Sequence, residues 1–206
     1  MDGPFDLFVH CEIVFYQSRR GTGLHTLAEC KVFDNFEMLR RELDLSFAAS
    51  YLGELISVLC PEMEPNTDVF DLFLKTLQSL PADVATATGV MRFELRLYRL
   101  LGYLPEMNNC VSCGKSLKRR RELKYSPLKG GTLCQKCWGE DKDAPVVSAG
   151  ALSAMRLLAD PDAVNASRLK LTRRILGEVR SALDAQVCFL FEGEPRSLDY
   201  VQPKLT

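Results

Sequence analysis

The chain has 206 residues, 47% of them hydrophobic and 26% charged, with a formal net charge of -1. Those proportions are those of a soluble globular protein with room for one medium domain, or a domain and a small appendage. Near-neutrality excludes a binder that relies on overall positive charge, and the lack of about eighteen consecutive uncharged apolar residues excludes a spanning helix.

The start, MDGPFDLFVHCEIVFYQSRR, has no basic leader, and Asp2, Asp6 and Glu12 interrupt its apolar part. A secretory signal is therefore not expected. The expected compartment is the cytoplasm, where structural disulfides are rare. Residues 7–17 are rich in Val, Ile, Phe and Tyr and predict a strand. SRRGTG at 18–23 predicts a turn, and 24–33 the returning strand. This hairpin is the only β-structure that the pattern predicts.

A helix is expected from Asp34 or Asn35 to Pro61, with Leu39, Leu43, Phe47, Leu55 and Val58 at helical spacing. After a loop at 61–68, Thr67 or Asp68 is placed to cap a second helix that ends at Pro81. A third runs over 89–105. Phe93, Leu97, Leu100 and Leu104 form one stripe, and Met91, Leu95 and Tyr98 a second, so it should be central and buried. A cysteine module follows at 108–140, then a linker, DKDAPVVSAG. Helices are expected at 148–160 and 165–191, the last burying Leu169, Thr172, Leu176, Val179, Leu183, Val187 and Leu190. The fold class is mainly α: a helical domain over 35–206 with an inserted four-cysteine module at 108–140. A β-hairpin at 1–34 precedes it. Two strands form no independent sheet domain and leave open edges.

Cys110, Cys113, Cys134 and Cys137 are spaced C-x2-C-x20-C-x2-C. Two cysteines three apart on a tight turn can aim both thiolates at one ion, and two such turns complete a tetrahedron. Gly114 allows the positive φ that the first turn needs. A thioredoxin-like pair would need one Cys-x-x-Cys beside a βαβ pattern, and iron–sulfur sites usually have other spacings. A structural zinc ion is the expected ligand, closed by four thiolates and hence not catalytic. Only Val111, Leu117, Leu123, Tyr125, Leu128 and Leu133 offer a local core, so the metal is expected to hold the module together. Cys11, Cys30, Cys60 and Cys188 lie in apolar segments and read as small buried hydrophobes.

Between 115 and 124 stand six Lys or Arg and one acid, Glu122. Lys118, Arg119, Arg120, Arg121 and Lys124 are candidate phosphate contacts on a metal-pinned loop. The plain alternative is a solvated tip. Arg92, Arg96 and Arg99 recur at i, i+4 and i+7 on the third helix. They read either as salt bridges within the bundle or as a groove for an acidic peptide. Arg173, Arg174, Lys170 and Arg180 read as a solvated face of the last helix. No P-loop, G-x-S-x-G or H-E-x-x-H occurs, and two histidines leave few general bases, so no enzyme is expected.

RFELRLYRLLGYLPEMNNCVSCGK resembles the family of the bacterial recombination mediator RecO. The residues that carry the resemblance are Phe93, Leu95, Arg96, Leu97, Gly102, Tyr103 and Pro105. Cys110, Cys113, Gly114, Gly130, Gly131, Cys134 and Cys137 follow them. PFDLFVHCEIVFY, SYLGELISVL with PEMEPN, and PRSLDYV extend it over nearly the whole chain. The resemblance implies an N-terminal OB barrel, a helical domain and a zinc module. It also implies binding of single-stranded DNA and single-strand-binding protein, and work with RecR to load RecA or anneal strands.

One departure stands out. PFDLF matches the middle of the family's barrel, and its earlier strands have no counterpart here. Either the chain is a fragment, or it starts at an internal Met, or this branch has lost the barrel's front half. DNA contact then falls to residues 115–124 and to Arg19 and Arg20. The rival readings are a zinc-stapled protein-interaction module without direct DNA binding, and another zinc-ribbon protein of transcription or translation.

Overall fold

A computed structural model of the chain describes residues 6–17, 24–62, 64–80, 86–118, 122–163 and 171–201. The predicted hairpin forms from β1 (His10–Tyr16) and β2 (Thr26–Asp34), antiparallel, with Ile13 opposite Cys30 and Val14 opposite Glu29. Neither face is closed: Val14, Phe15, Tyr16, Val32 and Phe33 all stand well exposed. Its first residues are seated on the helices. The His10 ring lies 6.0 Å from that of Phe70, Phe8 lies 6.4 Å from Phe73, and Arg40 pairs with Asp6 at 3.5 Å.

The expected first helix is broken. α1 (Glu37–Arg41) ends at Glu42, whose φ of -107° and ψ of 111° are extended, and α2 (Leu43–Leu59) restarts there. The break rephases the buried stripe. Leu45, Ala48, Ala49, Leu52 and Leu55 go inside, while Leu43 and Val58, both predicted core, face out. α3 (Thr67–Ser79) is capped one residue earlier than expected: the Asn66 side chain accepts from the Val69 N–H at 3.1 Å. This fills one of the unpaired donors of the first turn.

α4 (Thr86–Leu101) is the wall of the molecule. Val90, Phe93 and Leu97 pack on α1–α3, whereas Met91, Leu95 and Tyr98 pack on the cysteine module and the last two helices. The predicted stripe ends early, since Leu100 is exposed. α5 (Ala149–Ala159) is capped by Ser148, and α6 (Arg173–Leu190) by Thr172, whose hydroxyl accepts from Ile175 N–H. Thr172 was expected in the core; its oxygen serves the helix end and it stays in solvent.

α4 and α6 are joined by a buried ion pair. Glu94 accepts from both terminal nitrogens of Arg180 at 2.8 Å, and from the Tyr51 hydroxyl at 2.5 Å. Asp184 takes Arg180 Nε at 2.6 Å. Arg180 is therefore no part of a solvated face, and this carboxylate explains its burial.

A second sheet lies in the cysteine module. β3 (Glu122–Ser126) is central, flanked by β4 (Gly131–Leu133) and β5 (Val146–Ser148), both antiparallel to it. The expectation that the hairpin is the only β-structure is thus corrected. Strands of three to five residues are too short to carry a period-2 signal. β5 comes from the presumed linker and exists through its pairing to β3. Leu117, Leu123, Tyr125 and Leu133 are nearly or fully buried in one cluster with Leu95, Tyr98, Leu152, Val179 and Leu183. The module has no thin core of its own; it shares that of α4, α5 and α6.

Candidate metal centre

The first cysteine turn is closed by hydrogen bonds from Gly114 N–H to Cys110 O and from Cys110 N–H to Lys115 O, both 2.8 Å. Gly114 has φ 68°, a value that favours glycine, as expected from its place in the sequence. The second turn is built differently. Cys134 is extended, and residues Gln135–Glu140 wind into a 3-10 helix that carries Cys137, so no glycine is needed after it. Gly131 brings the two turns together. A Cβ there would lie 2.5 Å from Glu106 O and 2.6 Å from Val111 Cγ1.

The four sulfurs converge. Cys113 Sγ lies 3.8 Å from Cys134 Sγ, which lies 3.9 Å from Cys137 Sγ, and all four fall within 4.8 Å of one another. A tetrahedral zinc with bonds of about 2.3 Å sets its sulfurs roughly 3.8 Å apart. The donor set and its spacing therefore fit a metal ion held by four thiolates. Cys110 and Cys134 are buried, Cys137 is half-buried and Cys113 is exposed.

The thiols differ in acidity. Burial pushes Cys110 up, but N–H groups of Cys134, Cys113 and Ser112 outweigh it and bring it down to about 6. At Cys137 a hydrogen bond from Ser112 pulls downward. Burial and the three other sulfurs win, and it is pushed up to about 12. Crowded sulfurs resist carrying several negative charges at once, which is the electrostatic reason that such a cluster suits a cation. Four protein sulfurs leave no open position, so the arrangement suits a structural ion.

Around the centre, Glu140 accepts from the Ser112 hydroxyl and pairs with Lys129 at 3.5 Å. Lys124 Nζ donates to Asp141 O at 3.0 Å and Lys142 O at 2.6 Å, and sits 5.9 Å from the centre of the Trp138 ring. Lys124, expected at a nucleic-acid surface, is thus engaged in tying β3 to the loop after the second turn. Lys118 is exposed. Arg119, Arg120 and Arg121 lie outside the described residues, as do Arg19, Arg20 and Lys170.

The three arginines of α4 part company. Arg96 donates to Leu158 O at 3.4 Å and Asp160 O at 2.9 Å, closing the C-terminal end of α5. Burial, with help from Arg92, lowers its pKa. Arg92 is half-buried, and Arg99 is exposed at the last turn, on the rim of a cleft. The sequence reading passed over two groups. Glu94 was hidden inside the motif FELRLYRLLGY, and Arg156 inside MRLL. For Glu94 the available signal was a single acid among arginines on an otherwise apolar helix, and for Arg156 a lone charge in an apolar stretch.

The model of the family described as "Recombination protein O C terminal" matches residues 40–199. A protein named "DNA repair protein RecO" from Dehalococcoides mccartyi is 31% identical over 198 residues, 96% of this chain and 76% of that protein. One of the same name from Roseiflexus sp. is 32% identical over 199 residues, 97% of this chain and 69% of that protein. Another, from Symbiobacterium thermophilum, is 29% identical over 197 residues. Among the described residues, no helix is long and apolar enough to cross a membrane.

Proposed function

The chain belongs to the RecO family of DNA repair proteins, and from that premise we propose that it is a recombination mediator that acts by binding rather than by catalysis. Its role lies in DNA repair and recombination. It binds single-stranded DNA and single-strand-binding protein in the cytoplasm. With RecR it loads RecA or anneals complementary strands. The observation that carries this reading is the coincidence of the family match over 40–199 with the four-sulfur centre at the heart of that span. The ion is zinc, held by Cys110, Cys113, Cys134 and Cys137, and it supplies no chemistry beyond fixing the two turns. Residues 1–34 are read as part of an OB barrel, and the apolar exposure of β1 and β2 supports that reading, because barrel strands face an interior. The helical domain, 35–206, carries the zinc module at 108–140. Lys118 to Arg121, with Arg19 and Arg20, present cations to phosphate. Arg92 faces the acidic partner peptide, while Arg96 holds the end of α5 that lies beside it.

The test is annealing of complementary oligonucleotides coated with single-strand-binding protein, followed by energy transfer between two dyes. The zinc-loaded chain should accelerate pairing, and more so with RecR present. A chain that binds the coating protein but neither binds naked strands at low salt nor anneals them would instead be the zinc-stapled interaction module.

A further inference from the structure

A cleft of about 650 Å³ opens between the end of α4, the entry to the cysteine module and α5. Two guanidinium groups face it. Arg99 is exposed and forms no ion pair among the described residues. Arg156 is half-buried. It donates from Nη2 to Met107 O, yet its Nε is buried without any hydrogen-bond partner. It too has no carboxylate partner among the described residues. That Nε is out of solvent's reach, so an anion in the cleft would meet the remaining terminal N–H groups; a half-buried guanidinium without a counter-charge is costly.

The two carboxylates at the cleft are already engaged. Glu106 Oε1 accepts from the N–H groups of Asn108 and Asn109, the latter at 3.0 Å. Asp160 Oδ1 accepts from Asp162 N–H at 3.0 Å, and its charge faces Arg96. Two arginines and two carboxylates line the cleft; both carboxylates accept from backbone N–H groups, while neither arginine has a carboxylate partner among the described residues. Paired guanidinium forks match the oxygens of a phosphate or carboxylate.

The surroundings favour a repeated anion over a single terminal one. Asn108 O accepts from Leu117 N–H at 2.9 Å, and Cys110 N–H bonds Lys115 O. The loop that carries Lys115 and Lys118 thus runs directly from the cleft's rim, extending the line of cations. Leu104 and Met107 give the cleft an apolar part, and Tyr103 beside them is 45% exposed, a surface on which a base can stack.

We propose that this cleft seats a backbone phosphate of single-stranded nucleic acid between Arg99 and Arg156, with the strand continuing over Lys115 and Lys118. The site rests on the reading of the chain as a single-strand binder and gives that reading an address. It takes part of the role from the hairpin and assigns it to the junction of helical domain and metal module.

The experiment is fluorescence anisotropy of a labelled oligothymidylate titrated with the full zinc-loaded chain over a series of salt concentrations. Arg99→Gln and Arg156→Gln should each make the slope of log affinity against log salt shallower, and the double variant by about 0.7, the share of one phosphate. Arg41→Gln, whose side chain pairs with Glu37 on α1, should leave the slope unchanged. Arg99 is exposed, so its variant remains decisive should Arg156→Gln fail to fold. Parent binding with unchanged slopes in the variants overturns this site and leaves DNA binding standing. No binding by the parent at low salt overturns both. Arg156-dependent binding of an acidic peptide with a free C-terminus, with the DNA slope untouched, makes the cleft a peptide site and also overturns the proposal.

Discussion

Removing the metal, by a chelator or by Cys113→Ser, should loosen the two cysteine turns and leave the small sheet between them in place. The reason is the division of burial. Leu117, Leu123, Tyr125 and Leu133 are at most 3% exposed and join the core of α4, α5 and α6. At about 1.5–3 kcal/mol each, their burial contributes roughly 6–12 kcal/mol. A structural zinc would contribute about 10–16 kcal/mol, and it would act first on the two turns that carry the sulfurs. Tyr125 adds a hydrogen bond from its hydroxyl to Gln186 Oε1 at 3.0 Å, fastening β3 to α6. Amide hydrogen exchange separates the two layers. Without metal, the N–H groups of Cys110, Gly114 and Cys137 should exchange about a hundredfold faster, which is about 2.8 kcal/mol of local stability. Those of Tyr125, bonded to Pro145 O, and Thr132, bonded to Glu106 O, should keep their protection. Joint collapse over 108–148 would refute the shared-core argument. Unchanged exchange in the turns would mean that the sulfurs hold no metal.

Other outcomes follow from single contacts. Glu94→Leu leaves both terminal nitrogens of buried Arg180 without their carboxylate, only its Nε keeping Asp184, and should cost about 3–5 kcal/mol, lowering Tm by roughly 10 °C; Glu94→Leu with Arg180→Met should regain most of it. A single variant within about 1 kcal/mol of the parent in urea unfolding, or a strictly additive double variant, would contradict the coupling. Glu54 links α2 to the 3-10 turn Leu198–Val201 through the N–H groups of Arg196 and Ser197, each at 3.0 Å. Burial alone would raise its pKa, but the Ser197 hydroxyl and those N–H groups hold it below the ordinary 4.5. A lowered folded value means that this contribution is complete above the ordinary value and is lost as pH falls through the folded one. Acid should therefore release the turn first, as seen by amide exchange at Ser197, and Glu54→Gln should abolish the pH dependence. Gly131→Ala drives a methyl into Glu106 O and should destabilise by about 1–3 kcal/mol, measured by thermal unfolding.

The convergence of the four cysteines was readable from the chain because each pair is local: two residues between cysteines fix the reach of a turn, whatever surrounds it. The helices at 67–79 and 86–101 were legible for the same reason, since 3.6-residue periodicity is written along one segment. Even there, one extended residue at Glu42 shifted the stripe of α2, because phase accumulates along the chain and a single break resets it. Charge carried no such local signature. Arg96, Arg99, Lys124 and Arg180 look alike in the sequence, yet one closes a helix end, one stands at a cleft, one ties a loop and one is buried on a carboxylate. A cation takes its role from the acceptors that other segments bring to it. Arg180 and Glu94 are 86 residues apart, Arg96 and Asp160 are 64 apart, and only the tertiary fold brings them together. The sequence by itself determined the four sulfurs, the main helices and the family. Which charges remain for a partner, and that the module shares its core with the helices, the tertiary structure decided. Burial and pairing depend on what lies opposite, and the chain does not state its neighbours.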